Sequence, residues 1–159
     1  MVDKNQAVID YLLTCPAIVN SPLYFNFINA QNDTNQFLTS TSDMYTTRRY
    51  IDGSAAKIYI FSIITFKSVT DIAVPKLDGY ESENVSDMAT IQQLIDWIKK
   101  QEDLKNYPNF GEDCKVDEIL TTTDNPHFDG VDNQVSPPLA VYSVTIQIRY
   151  IDRSKMIWR

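Results

Sequence analysis

Glycine is scarce, with four residues in a chain of 159. They stand far apart in sequence and form neither the phosphate cradle of a P-loop nor the Gly-x-Gly-x-x-Gly turn of a dinucleotide site, so nucleotide enzymes are excluded. Histidine occurs once, as His127, and any catalytic triad or imidazole acid-base pair would rest on it alone. Its neighbours Pro126 and Asp129 read as turn chemistry and make it a surface residue. The two cysteines, Cys15 and Cys114, form no Cys-x-x-Cys pair and have no base beside them in sequence, so both read as reduced packing residues. Long apolar runs are missing as well. No stretch reaches the ~18 to 20 residues of a membrane-crossing helix, and Asp3, Lys4 and Asp10 interrupt the first turns where a secretion signal would be apolar. The expectation is a protein made in a cytoplasm, with no membrane contact.

Positive charge is also in short supply. Fourteen Lys and Arg stand against 21 Asp and Glu, a formal net charge of −7. Autonomous nucleic-acid binding needs clustered cations, and the adjacent basic pairs here are Arg48-Arg49 and Lys99-Lys100. Asp124, Asp129 and Asp132, with Asn125 and Asn133, are spaced unlike the alternating ligands of a calcium loop. No metal, no cofactor and no enzymatic activity are expected. Against these absences, 43% of the residues are hydrophobic, enough for a core in one domain spanning 1–159.

The apolar periods then sketch the elements. Asp3 with Gln6 three residues on resembles a capping box, and Val8, Ile9, Leu12 and Leu13 predict a short amphipathic helix that Pro16 stops. Residues 23–28 predict a strand. Residues 29–47 are rich in Asn, Ser, Thr and Gln and predict a long loop or frayed strand, a length that in compact domains suggests a contact region. Asp52-Gly53 between strand-like runs predicts a long hairpin. In its second arm Ile58, Ile60, Ile64 and Phe66 share one parity while Tyr59, Phe61 and Ile63 share the other. Both faces are therefore apolar, so a cover is expected on each, the second supplied by the 29–47 loop or by a neighbouring chain. Residues 70–83 read as a connection, with Asn84 capping a helix in which Met88, Ile91, Leu94, Ile95 and Ile98 make the inner stripe and Asp96 pairs with Lys100. Trp97 falls at the edge of that stripe. A strand is predicted at 115–121, an irregular insert at 122–138, and a strict two-residue alternation from Ala140 to Tyr150. No internal repeat is visible. The whole reads as an α+β domain, a mainly antiparallel sheet with a long β-hairpin packed by two helices.

Several segments carry a resemblance to a family of phage minor structural proteins, minor capsid or tail proteins of Gram-positive phages and of phage tail-like bacteriocins. They are Lys4-Asn5-Gln6-Ala7-Val8-Ile9-Asp10, Tyr50-Ile51-Asp52-Gly53-Ser54, Phe66-Lys67-Ser68, Ile95-Asp96-Trp97-Ile98, Asn106-Tyr107-Pro108-Asn109-Phe110-Gly111 and the strand from Tyr142 to Asp152. By element order and length the chain also resembles tail terminators. That resemblance implies a homo-oligomeric ring, a hexamer, which caps the tail tube, stops its growth and meets sheath or neck proteins. DNA would then pass a negative lumen without specific binding. The residues expected at subunit or partner contacts are Arg48, Arg49 and Tyr50 beside the hairpin turn, Trp97 at the helix edge and Trp158 near the end. The rival readings are a head-completion or connector ring on the portal side, a small host-protein-binding module, and an enzyme such as a small acyltransferase. The last needs a cofactor cleft and a base that the sequence does not offer.

Overall fold

The computed structural model describes residues 2–19, 23–25, 34–68, 73–76, 79–134 and 138–157. Helix α1 (Lys4–Leu12) starts at Asp3, whose carboxylate accepts a hydrogen bond from the Asn5 amide at 2.9 Å, relieving one of the unpaired amides of a helix start. Gln6 does not reach back to close a capping box; its Nε2 donates forward to Asp10 Oδ1. The buried stripe is Val8, Tyr11 and Leu12, continued by Cys15, while Leu13 is exposed. Tyr11 takes the inner place expected of Leu13, with its hydroxyl donating to the Asn106 carbonyl at 2.9 Å. Pro16 does more than stop this helix. It opens a one-turn helix, α2 (Pro16–Val19), at a first helical position where a missing N–H costs nothing.

After β1 (Leu23–Phe25) comes β2 (Thr34–Arg49), which pairs antiparallel with β3 (Ala55–Ser68). Of the two expectations for the polar segment, a long loop or a frayed strand, the strand holds from residue 34 onward. Register against the apolar β3 decides its conformation despite its composition, because strand preference reports the neighbours more than the residue. The expected connection before the second long helix holds a small hairpin, β4 (Ala73–Lys76) and β5 (Gly79–Ser82), and helix α3 (Glu83–Asp103) begins one residue before Asn84. Asp96 accepts from Gln92 Nε2 at 3.0 Å rather than pairing with Lys100. The helix ends at Lys105, in a left-handed conformation (φ 55°), with Asn106 N donating to Gln101 O and Lys105 N to Glu102 O, the bond pattern of a Schellman stop.

Three strands close the chain: β6 (Cys114–Thr121), β7 (His127–Asp132) and β8 (Leu139–Asp152). β7 lies in the insert expected to be irregular. Its residues hold a strand because β8 offers them a free edge, Phe128 facing Tyr142 and Val131 facing Ala140. Among the described residues the sheet runs β1-β2-β3-β8-β6, with β7 also pairing β8 and only the β1–β2 pair parallel. All three helices lie on one face. There Val8, Leu12, Ile18, Ile91, Leu94, Ile95 and Ile98 meet Tyr59, Phe61 and Ile63 of β3 and the alternate residues Tyr142 to Tyr150 of β8. Each large side chain so buried stabilises the fold by about 1.5–3 kcal/mol. The α+β class, the mainly antiparallel sheet and the long hairpin are as expected, with three helices among the described residues in place of two.

The opposite face is different. By register it carries Ile58, Ile60, Ser62, Ile64 and Phe66 of β3 beside Arg149, Gln147, Thr145, Ser143 and Val141 of β8. Ile58 and Phe66 are buried yet lie outside the main core cluster, and Ile60 and Ile64 are half-buried. Among the described residues no helix covers this face, and the part of the 29–47 segment expected to cover it is instead a strand of the sheet itself.

Candidate interaction surface

The Asp-Gly turn between β2 and β3 is fixed from within and from outside. Tyr50 N donates to Ser54 O at 2.9 Å and Gly53 N to Tyr50 O at 3.1 Å. The Asp52 carboxylate accepts from the Ser54 hydroxyl at 2.6 Å and from the Ser54 amide at 2.9 Å, bonds that hold its pKa below the ordinary carboxylate range. Gly53 has φ +89°, and a β-carbon there would fall 2.1 Å from the Lys155 carbonyl oxygen. Glycine is required twice over, by conformation and by space. The segment after β8 folds across the turn: Met156 N donates to Arg153 O at 2.9 Å and Ile157 N to Asp52 O at 2.7 Å, while Arg153 N reaches Asp113 O at 2.7 Å. One corner of the sheet thus gathers the hairpin turn, the start of β6 and residues 152–157.

The second Asp at this corner, Asp152, pairs with the Lys57 ammonium at 2.6 Å and accepts from the Ser154 amide and hydroxyl. Its burial would raise the pKa, but the hydrogen bonds from Lys57 and Ser154 outweigh it and hold the carboxyl well below its ordinary value. The two aspartates reveal a repeat that the sequence reading missed. Arg-Tyr-Ile-Asp-x-Ser occurs at 49–54 and again at 149–154, and both copies end at this corner. The signal was in the sequence, but six residues without a period fall below any repeat length that sets an architecture.

The corner presents apolar surface beside positive charge. Ile51 is 96% exposed, Ile157 66% and Tyr50 42%, and Arg48, Arg49, Arg153 and Lys155 are exposed around them. The Arg48 guanidinium lies 5.9 Å from the Tyr50 ring centroid, within reach of a cation-π attraction. Of the residues expected at contacts, Arg48, Arg49 and Tyr50 are therefore brought together. Trp97 is not with them: it is half-buried, packed against the core with its ring 5.0 Å from that of Tyr11. Trp158 lies outside the described residues. Ile51 and Arg153 were passed over in the sequence, the first because a turn position flanked by Asp-Gly reads as solvent, the second because only the fold brings it to the hairpin.

Groups with chemical potential stand apart from one another. His127 is exposed, its Nε2 3.2 Å from Asp129 Oδ1. Burial raises the pKa of both thiols, Cys15 and Cys114, which keeps them protonated near neutrality and poorly nucleophilic. Asp124 pairs with Lys99 at 2.9 Å. Among the described residues no three His, Cys, Asp or Glu side chains converge as a metal site would require, and no helix is long and apolar enough to cross a membrane. Compared with models of known protein families and with curated proteins, the chain matches none.

Proposed function

We propose that this chain is a structural subunit of a phage or phage tail-like particle, acting as a tail terminator: a ring, hexameric by analogy, that caps the tail tube and ends its growth. The observation that carries the reading is the sheet face opposite the helices. By register Ile58, Ile60, Ile64 and Phe66 line it and no described helix covers it; Ile58 and Phe66 are already buried within one chain, so what identical neighbours would shelter is the half-buried remainder, Ile60 and Ile64. Such copies meet through sheet edges and the 45–69 hairpin, and contacts that are not self-reciprocal close as a ring when the rotation between copies allows. The resemblance to phage minor structural proteins supports the same role. An acidic chain of net charge −7 suits a passage through which DNA moves without sticking.

Deleting the gene tests the assignment. Tails of uncontrolled length, or tails unable to join heads, are expected under electron microscopy; particles of normal form would reject it.

A further inference from the structure

The helix layer carries a groove of about 460 Å³ beside α1. Val2, Ala7, Tyr107 and Pro108 supply its apolar lining, and the carboxylates of Asp3 and Asp10 stand among its lining groups. It carries two carboxylates, whereas the hairpin corner exposes Arg48, Arg49, Arg153 and Lys155, its own Asp52 and Asp152 being taken up by bonds to Ser54, Ser154 and Lys57. In the isolated chain Ile51 is 96% exposed, so the corner is not seated in its own groove. We propose that the hairpin turn of one copy docks in the groove of a second copy, Ile51 entering among Val2, Ala7, Tyr107 and Pro108 while Arg48 and Arg49 face Asp3 and Asp10. The proposal rests on the ring-forming reading and names one of its interfaces.

Charge argues for a second copy as the occupant. Two molecules that each carry −7 repel at a distance, and a contact that brings unlike patches together offsets that repulsion. The arginine-flanked turn and the aspartate-bearing groove are such patches, and they belong to different parts of one surface. The contact is therefore heterologous: each copy offers a turn to one neighbour and a groove to the other, as a closed ring needs. The exposed isoleucine supplies the desolvated centre and the arginine–aspartate pairs a polar rim, the usual division of labour in a stable interface.

Sedimentation of the full chain across a concentration series at low salt separates the possibilities. The wild-type chain should associate; if it stays monomeric at every concentration, the ring-forming reading itself falls. Arg48→Glu with Arg49→Glu, and separately Asp10→Lys, should each weaken association by more than about tenfold, and the chain carrying all three changes should recover most of the loss. All three side chains are exposed, so thermal melts should match wild type. Ile51→Ser, tested alongside, reads the same contact without altering charge. Wild-type association that survives both the charge reversals and Ile51→Ser overturns the docking while leaving ring formation standing. Loss in the single variants without recovery in the combined chain overturns the arginine–aspartate pairing.

Discussion

Asp52 and Asp152 each bond the amide and hydroxyl of a serine two residues on, at 2.9 and 2.6 Å in both places, but Asp152 also forms a direct ion pair with Lys57, whereas Asp52 feels Arg153 without a direct pair. Local sequence sets the turn, and tertiary position decides what it contributes. Because the folded-state pKa of Asp152 is depressed, its stabilisation is fully present above the unfolded carboxylate value near ~3.9 and fades as pH falls through the folded value. Asp152→Asn should therefore cost about 1.5–3 kcal/mol at neutral pH, and the deficit should vanish in acid. Denaturant midpoints from pH 7 down to strong acid check this, and a deficit independent of pH would show that the ion pair is not its source. The glycines make a second comparison. Gly53 and Gly130 both hold positive φ, but a β-carbon at Gly53 meets the Lys155 carbonyl whereas at Gly130 nothing lies within 4 Å. Alanine at either position should incur about 1–3 kcal/mol of backbone strain, and at Gly53 it must also dislodge residues 155–157. The larger loss of stability is expected at Gly53→Ala; equal losses would mean that the clasp yields freely.

β3 and β8 pair along their whole lengths, Ala55 to Ser68 against Asp152 to Leu139, and each has strands on its other side as well. β7 has β8 alone as partner among the described residues. β1 and β6 likewise have a single partner, so amide exchange should be slowest in the middle of β3 and β8 and faster in the edge strands β1, β6 and β7; uniform protection across the sheet would contradict the topology. The same contrast explains what the sequence made legible. The Ala140–Tyr150 alternation and the Ile91–Ile98 stripe write their own periods, because each buries one face against a core that all of its residues share. Residues 34–49 and 127–132 are strands because apolar partners lie beside them, and that information sits in β3 and β8, far away in sequence. Pro16 reads as an ending in sequence because a proline stops one helix and starts another with the same ring.

For the molecule as a whole, positive charge is concentrated where it is useful. The four exposed cations at the hairpin corner, Arg48, Arg49, Arg153 and Lys155, belong to a chain with 14 in all and 21 acids, and they outnumber the carboxylates of Asp52, Asp113 and Asp152 gathered there. If copies join through that corner, raising salt from about 0.05 M to about 0.5 M should weaken their association, since the reach of charge shrinks to a few ångströms over that range. Association through the apolar sheet face would hold or strengthen instead, and that outcome would move the principal interface there. The corner was half legible in sequence. Arg48, Arg49 and Tyr50 are contiguous with a recognisable turn, whereas Arg153, Lys155 and the groove of α1 are joined to it, or set against it, only by folding.

The twice-written hexapeptide has a practical consequence for detection. Tyr50 is open to solvent and Tyr150 is 2% exposed, so an antibody raised against a synthetic Arg-Tyr-Ile-Asp peptide would find one epitope on the native molecule and two on the denatured chain. The ratio of its binding stoichiometries would then serve as a label-free gauge of how much material in a preparation has lost its fold.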